Sequence, residues 1–341
     1  MSVGTLQLHG TIDVTQFWPS GDSDADTTKV LVDISQGGFE FRAADALPYQ
    51  KTTFYEGARV RGRITKSPID AHNRVTIRLQ GIDAPELHYE PSPLSAQEKK
   101  SSAQKIARFK SLVHFYCEPL GPTTTSALHD LLARPGASVI QCRVFTHVDQ
   151  PDEVFDTYAR MVGDIEVTVG GQTVNINQWL AQHGQAFPTF YSSMSADEIN
   201  TLEALVKAAR SAKRGLWKFA SKTVGPFDFG LRQPKKGDVS VLKTDRGPVL
   251  MPKLFRRQCS WATRKKSGIT SGGFQPYLVA SQDHCFQTKD FLAAGVHSAT
   301  PRLLSDFVKQ GKKVLFESDD LVFSEAAATL IDAHGKVVTH F

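Results

Sequence analysis

Short alternations of apolar and polar residues run through the first half of the chain and predict β-strands. Apolar side chains at every second position, as at Val75, Ile77 and Leu79, are typical of a strand with one face in a core. The predicted strands span 6–17, 27–34, 39–42, 60–64, 75–79, 139–145 and 161–167. Between 96 and 116 the period changes to that of an amphipathic helix.

Two capping boxes mark where helices begin. Ser95 with Glu98, and Ser195 with Glu198, have the spacing at which each side chain can satisfy a backbone N–H of the first turn. The first predicts a helix over about 96–116, and the second predicts a helix that ends at Gly215. Strands, helix, strands and helices in this order favour an α+β, mostly β fold. The pattern is that of an OB-like barrel with packed helices, which commonly binds single-stranded nucleic acid.

The region after residue 222 predicts a separate unit. Residues 225–238 are rich in turn formers and polar side chains, as a linker would be. Thr300-Pro301 predicts the start of a further helix, and the turn at 332–335 predicts a C-terminal hairpin. We therefore expect two domains, at 1–222 and at 223–341, the second being a small α+β domain of unknown role.

Composition and charge set broad limits. The formal net charge of +5 is compatible with a polyanionic partner without requiring one. No apolar run approaches the roughly 20 residues of a membrane helix, and the first five residues do not begin a secretory signal. We expect a cytoplasmic protein with no membrane partner, or a secreted one if a signal was removed. The widely spaced cysteines favour reduced thiols over zinc or redox chemistry: Cys117, Cys142, Cys259 and Cys285.

The strongest chemical signal lies where the strand 75–79 ends. Arg78 is near the end of this strand, Asp83 follows it, Pro85 breaks it, and Glu86 comes three residues after the aspartate. One cation and two carboxylates are therefore predicted to lie close together. An exposed ion pair by itself would be a weak signal, because such pairs are common and contribute little. The order of these residues is more specific.

That segment, Arg78-Leu79-Gln80-Gly81-Ile82-Asp83-Ala84-Pro85-Glu86, resembles the R-L-x-G-I-D-x-P-E signature of the thermonuclease family, which has the staphylococcal nuclease-like fold. Asp156-Thr157-Tyr158-Ala159-Arg160 resembles the family's D-x-Y-G-R motif, with alanine where the family usually has glycine. The order of motifs continues through 174–186 to Gly215-Leu216-Trp217. The resemblance covers roughly residues 5–219 and implies an OB-like five-stranded barrel.

The resemblance also implies an activity, that of a calcium-dependent nuclease cutting DNA or RNA by water attack. Asp83 and the Ala84 carbonyl would bind Ca²⁺, a hard cation that prefers oxygen ligands. Glu86 would take the proton from the attacking water. Arg78 and Arg160 would hold the phosphate, since a planar guanidinium bonds phosphate oxygens in pairs.

Two other functions stay open at this stage. One is a noncatalytic nucleic-acid-binding OB module, as in relatives that keep the fold without the catalytic residues; the presence of Arg78, Asp83, Glu86 and Arg160 argues against it. The other is an enzyme whose nucleic-acid target is chosen by residues 223–341. The sequence leaves the natural substrate and the oligomeric state undetermined.

The second metal carboxylate has two candidates. Asp24-Ala25-Asp26-Thr27 resembles the family's D-G-D-T segment, so that Asp26 would be the ligand. The stretch from Asp26 to Arg78 is much longer than in short family members and implies an inserted hairpin at about 36–65. Asp70 is the rival, although it fits the turn before the strand better. A third possibility is that the acidic stretch is only a solvated turn.

Aromatic side chains near the second motif are candidates for substrate binding. Tyr158, Phe190 and Tyr191 lie where the family places rings near the base and phosphate, and aromatic faces stack on any base. Packing of these rings on the barrel rim is an equal alternative. The basic and aromatic stretch 253–266 favours a solvated basic face over a track for a phosphate backbone.

Overall fold

A computed structural model describes residues 3–21, 23–36, 38–134, 136–233, 248–294, 299–326 and 328–341. The last part of the predicted linker, 234–238, lies outside these residues. The strands of the first 222 residues are β1 (Thr5–Asp13), β2 (Thr27–Val32), β3 (Phe39–Arg42), β4 (Gln50–Thr52), β5 (Arg59–Arg61), β6 (Thr65–Lys66), β7 (Arg74–Leu79), β8 (Ile82–Asp83), β9 (Phe115–Tyr116), β10 (Val139–His147), β11 (Met161–Val169), β12 (Gln172–Asn175), β13 (Phe187–Pro188) and β14 (Phe190–Tyr191).

The later strands are β15 (Arg232–Gln233), β16 (His284–Gln287), β17 (Arg302–Leu303), β18 (Val308–Lys309), β19 (Lys313–Val314), β20 (Leu321–Phe323) and β21 (Thr329–Ile331). The α-helices are α1 (Ala103–Leu112), α2 (Gly121–Ala133), α3 (Ile176–Gln182), α4 (Ala196–Ser211), α5 (Pro252–Ser267), α6 (Phe274–Ser281) and α7 (Thr288–Ala294). None of the helices in the described ranges is long and apolar enough to cross a membrane.

Five strands close into a barrel, which confirms the predicted fold class. β1 pairs with β2 on one side and with β10 on the other, and β2–β7, β7–β11 and β11–β10 complete the ring. Within this ring, only the β7–β11 pair is parallel. The alternation seen in the sequence provides the interior, since Val75, Ile77 and Leu79 are at most 3% exposed. Closure leaves this ring without a free edge.

The segment between β2 and β7, where an inserted hairpin is expected at about 36–65, forms two hairpins. β3 and β4 form a hairpin whose first strand pairs with β1, so it extends the barrel sheet. β5 and β6 form a second, shorter hairpin. Because this insertion folds away as hairpins, β2 and β7 remain direct antiparallel neighbours, with Thr27 opposite Arg78.

The C-terminal region packs extensively on the barrel region. β20 pairs with β14, β21 pairs with β5, β15 pairs with β9, and α5 packs against α1. Buried apolar residues from both sides of position 222 form one continuous core. Independent folding of residues 1–222 remains a prediction. A truncated chain would lose the strands β15, β20 and β21 that pair with this region.

Three local predictions need correction. The helix predicted over 96–116 is shorter: the Ser95–Glu98 capping box starts a single 3-10 turn, and α1 begins after Ser102. The predicted helix from Pro301 is wrong. Its apolar residues instead fall in β17, a 3-10 turn and β18. Leu304 and Phe307 are buried in the 3-10 turn and Val308 is buried in β18, because a spacing of three to four residues also fits one tight turn. The C-terminal hairpin is reduced to β21 and one bridge from Ile331 to Val337.

The pairing of β21 with the insertion yields a stability prediction. Leu330 on β21 is 1% exposed and lies opposite Val60, which is fully buried. We expect Leu330→Ala to lower the free energy of unfolding by about 2–5 kcal/mol, because it leaves a cavity in the core. Val337→Ala, at a position that is 51% exposed, is the control and should cost about 0.5 kcal/mol or less. Urea unfolding of both variants measures the difference, and equal costs would show that β21 does not pack there.

Candidate active site

The closed barrel brings two carboxylates from distant parts of the chain to one arginine. Asp26 lies just before β2, and its carbonyl accepts a hydrogen bond from the N–H of Leu79 at the end of β7. Arg78 therefore reaches Asp26 Oδ2 with Nη1 at 2.6 Å and Asp83 Oδ1 with Nη2 at 2.9 Å. The Ala84 N–H also donates to Asp26 Oδ2, at 2.7 Å. Both carboxylates and the guanidinium are largely buried.

The turn after β7 sets the position of Asp83. Gly81 has φ +74°, a conformation that favours glycine, and a side chain there would meet Leu202 and Met194. The chain then enters β8, which pairs with β13 so that Asp83 lies opposite Phe187. Asp83 is thus fixed by a backbone pairing.

Asp70, the rival candidate for the second carboxylate, lies elsewhere. It pairs with Arg74 at 2.9 Å at the opposite end of β7, and both side chains are more than a third exposed. The structure brings Asp26, and not Asp70, to Arg78 and Asp83. A metal-binding role for Asp26 remains a prediction.

Glu86 lies among other buried acids. Burial raises the pKa of Glu86 to about 7, with Arg256 opposing the shift and Asp24 adding to it. Burial, together with Asp26, likewise raises the pKa of Asp24 to about 7. The Glu86 N–H donates to Glu118 Oε2 at 3.3 Å, and burial raises the pKa of Glu118 well above its usual value. Burial therefore favours the neutral form of Glu118, whereas Glu86 can exchange a proton near neutral pH.

Arg256 is a site residue that sequence reasoning missed. Its Nη1 and Nη2 donate to Asp83 Oδ1 and Oδ2 at 3.0 and 2.8 Å, and Nη1 also contacts Glu86 Oε1 at 2.5 Å. Burial alone would raise the pKa of Asp83, but the charges of Arg256 and Arg78 hold it below its usual value. Arg256 comes from α5, in the region expected to form a separate domain.

Arg160 reaches the site from the turn before β11. Its Nε and Nη2 lie 2.8 and 2.7 Å from Asp156 Oδ2, and Nη1 is 3.5 Å from the Thr27 hydroxyl. Ala159 has φ +58°, so the alanine adopts the left-handed turn that suits the glycine of the family motif. That conformation costs a residue with a Cβ roughly 1 kcal/mol.

The three predicted aromatic residues differ in exposure. Tyr158 is 42% exposed, and its hydroxyl accepts from Arg63 of the insertion at 2.7 Å. Tyr191 is partly exposed and lies 6.0 Å from the ammonium of Lys253. Phe190 is fully buried, so in this structure its ring belongs to the core and presents no face to a base.

The comparison with protein families agrees with this geometry. Residues 76–219 match the family model described as staphylococcal nuclease homologue. This part of the chain is a staphylococcal nuclease-like domain. The match begins within β7, so β1, β2 and Asp26 lie outside it even though they complete the same barrel. A search of curated proteins gives no match. The family identifies a nuclease or nucleic-acid-binding module, with further chain beyond it.

The donor atoms suit Ca²⁺ in type but not in arrangement. Carboxylates of Asp26, Asp83 and Glu86 are the oxygen ligands that calcium prefers. However, both oxygens of Asp83 and one of Glu86 already accept from Arg256, and Asp26 Oδ2 accepts from Arg78 and Ala84. Within the described residues, no three acidic, histidine or cysteine side chains are placed to share one metal ion. As arranged here, the residues do not fit the ion.

The different surroundings of Asp26 and Asp70 can be tested by stability. Asp26→Ala removes one of the two carboxylates that pair with the buried Arg78, and it leaves the Ala84 N–H without its acceptor, so we expect a loss of about 3–5 kcal/mol. Asp70→Ala removes an exposed pair and turn contacts and should cost about 1 kcal/mol. Urea unfolding provides both values. Equal losses would contradict the buried pairing of Asp26 with Arg78.

Proposed function

We propose that the staphylococcal nuclease-like domain hydrolyses phosphodiester bonds of DNA or RNA. The observation that supports this best is the position of Glu86, whose pKa of about 7 suits a general base, beside a cluster of buried arginines. Arg78 and Arg160 both act electrostatically on Asp24, so their charges share one end of the barrel. A base next to fixed positive charge is what phosphodiester hydrolysis requires.

The step assigned to these residues is simple. Glu86 accepts a proton from water while the water oxygen bonds to phosphorus and the bond from phosphorus to the 5′-oxygen breaks. Solvent protonates that oxygen, and the phosphate remains on the 3′ side, as the family resemblance implies. Arg78 and Arg160 stabilise the charge that grows on the equatorial oxygens. Tyr158 and Tyr191 offer ring faces to bases.

Calcium enters this proposal only through the family, which is generally calcium-dependent. By that resemblance Asp26, Asp83 and the Ala84 carbonyl would be its ligands. Since the arrangement of these groups does not fit the ion, the step above assigns no role to it.

A noncatalytic nucleic-acid-binding module is the second candidate function. The 2.5 Å contact between Glu86 Oε1 and Arg256 favours it, because an ion-paired carboxylate is less available as a base. Cleavage assays distinguish the nuclease from the noncatalytic module, because both should bind nucleic acid but only the nuclease should release cleavage products.

Removal of the base should abolish most turnover. We expect Glu86→Gln to lower the cleavage rate of single-stranded DNA by about 10²–10⁴-fold, while circular dichroism shows an intact fold. Glu118→Gln is the matched control, because Glu118 is buried beside Glu86 and burial raises its pKa, which favours the neutral form. Its rate should stay close to that of the unchanged protein. A folded Glu86→Gln variant with normal cleavage would remove Glu86 from the mechanism.

Substitution of the arginines by lysine tests the phosphate contacts. A lysine keeps the charge but loses the paired donors, so Arg78→Lys and Arg160→Lys should each cut roughly 10–100-fold more slowly. Arg74→Lys, on the same strand as Arg78 but in an exposed pair, serves as the control. If both site variants cut within about twofold of the rate of the unchanged protein, the positive charge alone is sufficient for cleavage and the paired contacts are not needed.

A further inference from the structure

We infer that Arg256 is a built-in replacement for the divalent cation of this site, so that the domain acts on nucleic acid without calcium. This inference rests on the proposed function. The first observation is positional: one guanidinium holds both oxygens of Asp83 and one oxygen of Glu86. By the family resemblance, the Asp83 oxygens would bind the ion and the Glu86 oxygen would take the proton from the attacking water.

The second observation is the anchoring of α5 immediately after Arg256. The next residue, Arg257, donates from Nε and Nη2 to the two oxygens of Asp283, both at 2.6 Å. One turn later the Ser260 hydroxyl lies 2.9 Å from that of Tyr89 and accepts from the Ser92 N–H at 3.1 Å. The helix is therefore tied directly to the segment that follows Glu86.

Further contacts make the helix part of the folded core. Arg264 donates to Glu98 at 2.7 Å and to the Pro93 carbonyl at 2.8 Å. Leu254, Phe255 and Cys259 are at most 3% exposed. Withdrawal of Arg256 by undocking of α5 would break all these contacts. Arg256 is thus a constant component of the site and not a mobile inhibitor.

The third observation concerns charge. Asp83 lies between two guanidinium groups, with Arg78 bonded to Oδ1 and Arg256 bonded to both oxygens. A divalent cation at Asp83 would have to approach two fixed positive charges in a buried setting, where repulsion is poorly screened. Each arginine also stays charged at any ordinary pH, so the position keeps its charge when no metal is present.

Arg256 acts here as a positioning residue, through Asp83 and Glu86. It neutralises Asp83, so that a phosphodiester anion can approach the carboxylates, and it fixes the orientation of Glu86 toward the attacking water. It does not make water more acidic, as a metal would, and proton removal therefore depends on Glu86 alone.

Calcium titration by calorimetry on the full chain tests the inference without relying on activity. We expect no calcium binding that depends on Asp83, judged against Asp83→Asn, up to millimolar concentrations. Arg256→Ala should gain binding at least tenfold tighter, because it opens the carboxylates. Arg256→Lys should bind as weakly as the unchanged chain, since it restores the charge. Arg257→Ala is the matched control on the same helix; it breaks a buried pair away from these oxygens and should gain no binding.

Cleavage assays give the second readout. The unchanged protein should cut equally well in EDTA and in Ca²⁺, whereas Arg256→Ala should need Ca²⁺. Calcium binding by the unchanged chain that Asp83→Asn abolishes would overturn the inference, as would loss of cleavage in EDTA. A folded Arg256→Ala variant without calcium binding would also overturn it. If the unchanged protein binds nucleic acid but never cuts it, the proposed catalysis fails while calorimetry still decides the role of Arg256.

Discussion

The site depends on the electrostatic cost of placing several carboxylates together at a buried barrel end. Charges taken out of water need compensation, and here guanidinium groups provide it. Arg78 joins Asp26 to Asp83, and Arg256 joins Asp83 to Glu86. Where compensation is weaker, burial shifts the equilibrium toward the neutral acid, as at Asp24 and Glu118. The arginines thus oppose the effect of burial on the acids that they contact.

The barrel makes this compensation possible by its register. β2 and β7 are neighbours in space although the insertion separates them in sequence, so Asp26 meets Arg78 at one strand end. The parallel pairing of β7 with β11 places Val162 opposite Arg78, which brings the turn with Arg160 to the same end. A change in register would separate these charges and leave buried ions unpaired.

The sequence predicted those candidate site residues that lie close together in the chain or within a family motif. Arg78, Asp83 and Glu86 lie within nine residues, and a strand end and a turn suffice to bring them together. Asp26 followed from its resemblance to a family motif. The alternation predicted the strands, and the barrel followed from the order of the elements together with the family resemblance. Arg256 could not be found this way, because its contacts depend on packing between segments far apart in sequence. One signal was present: Pro252 and Gly268 bracket a helix, with Leu254, Phe255 and Cys259 on its inner face. Its many basic residues favoured a solvated face.

The order of the elements along the chain has a consequence during synthesis. All five barrel strands are complete by residue 169, whereas Arg256 leaves the ribosome much later. Of the two guanidinium groups bonded to Asp83, a nascent barrel would therefore supply only that of Arg78. The candidate site reaches its final charge state only when α5 docks, so it depends on residues beyond the barrel, as the shared core does.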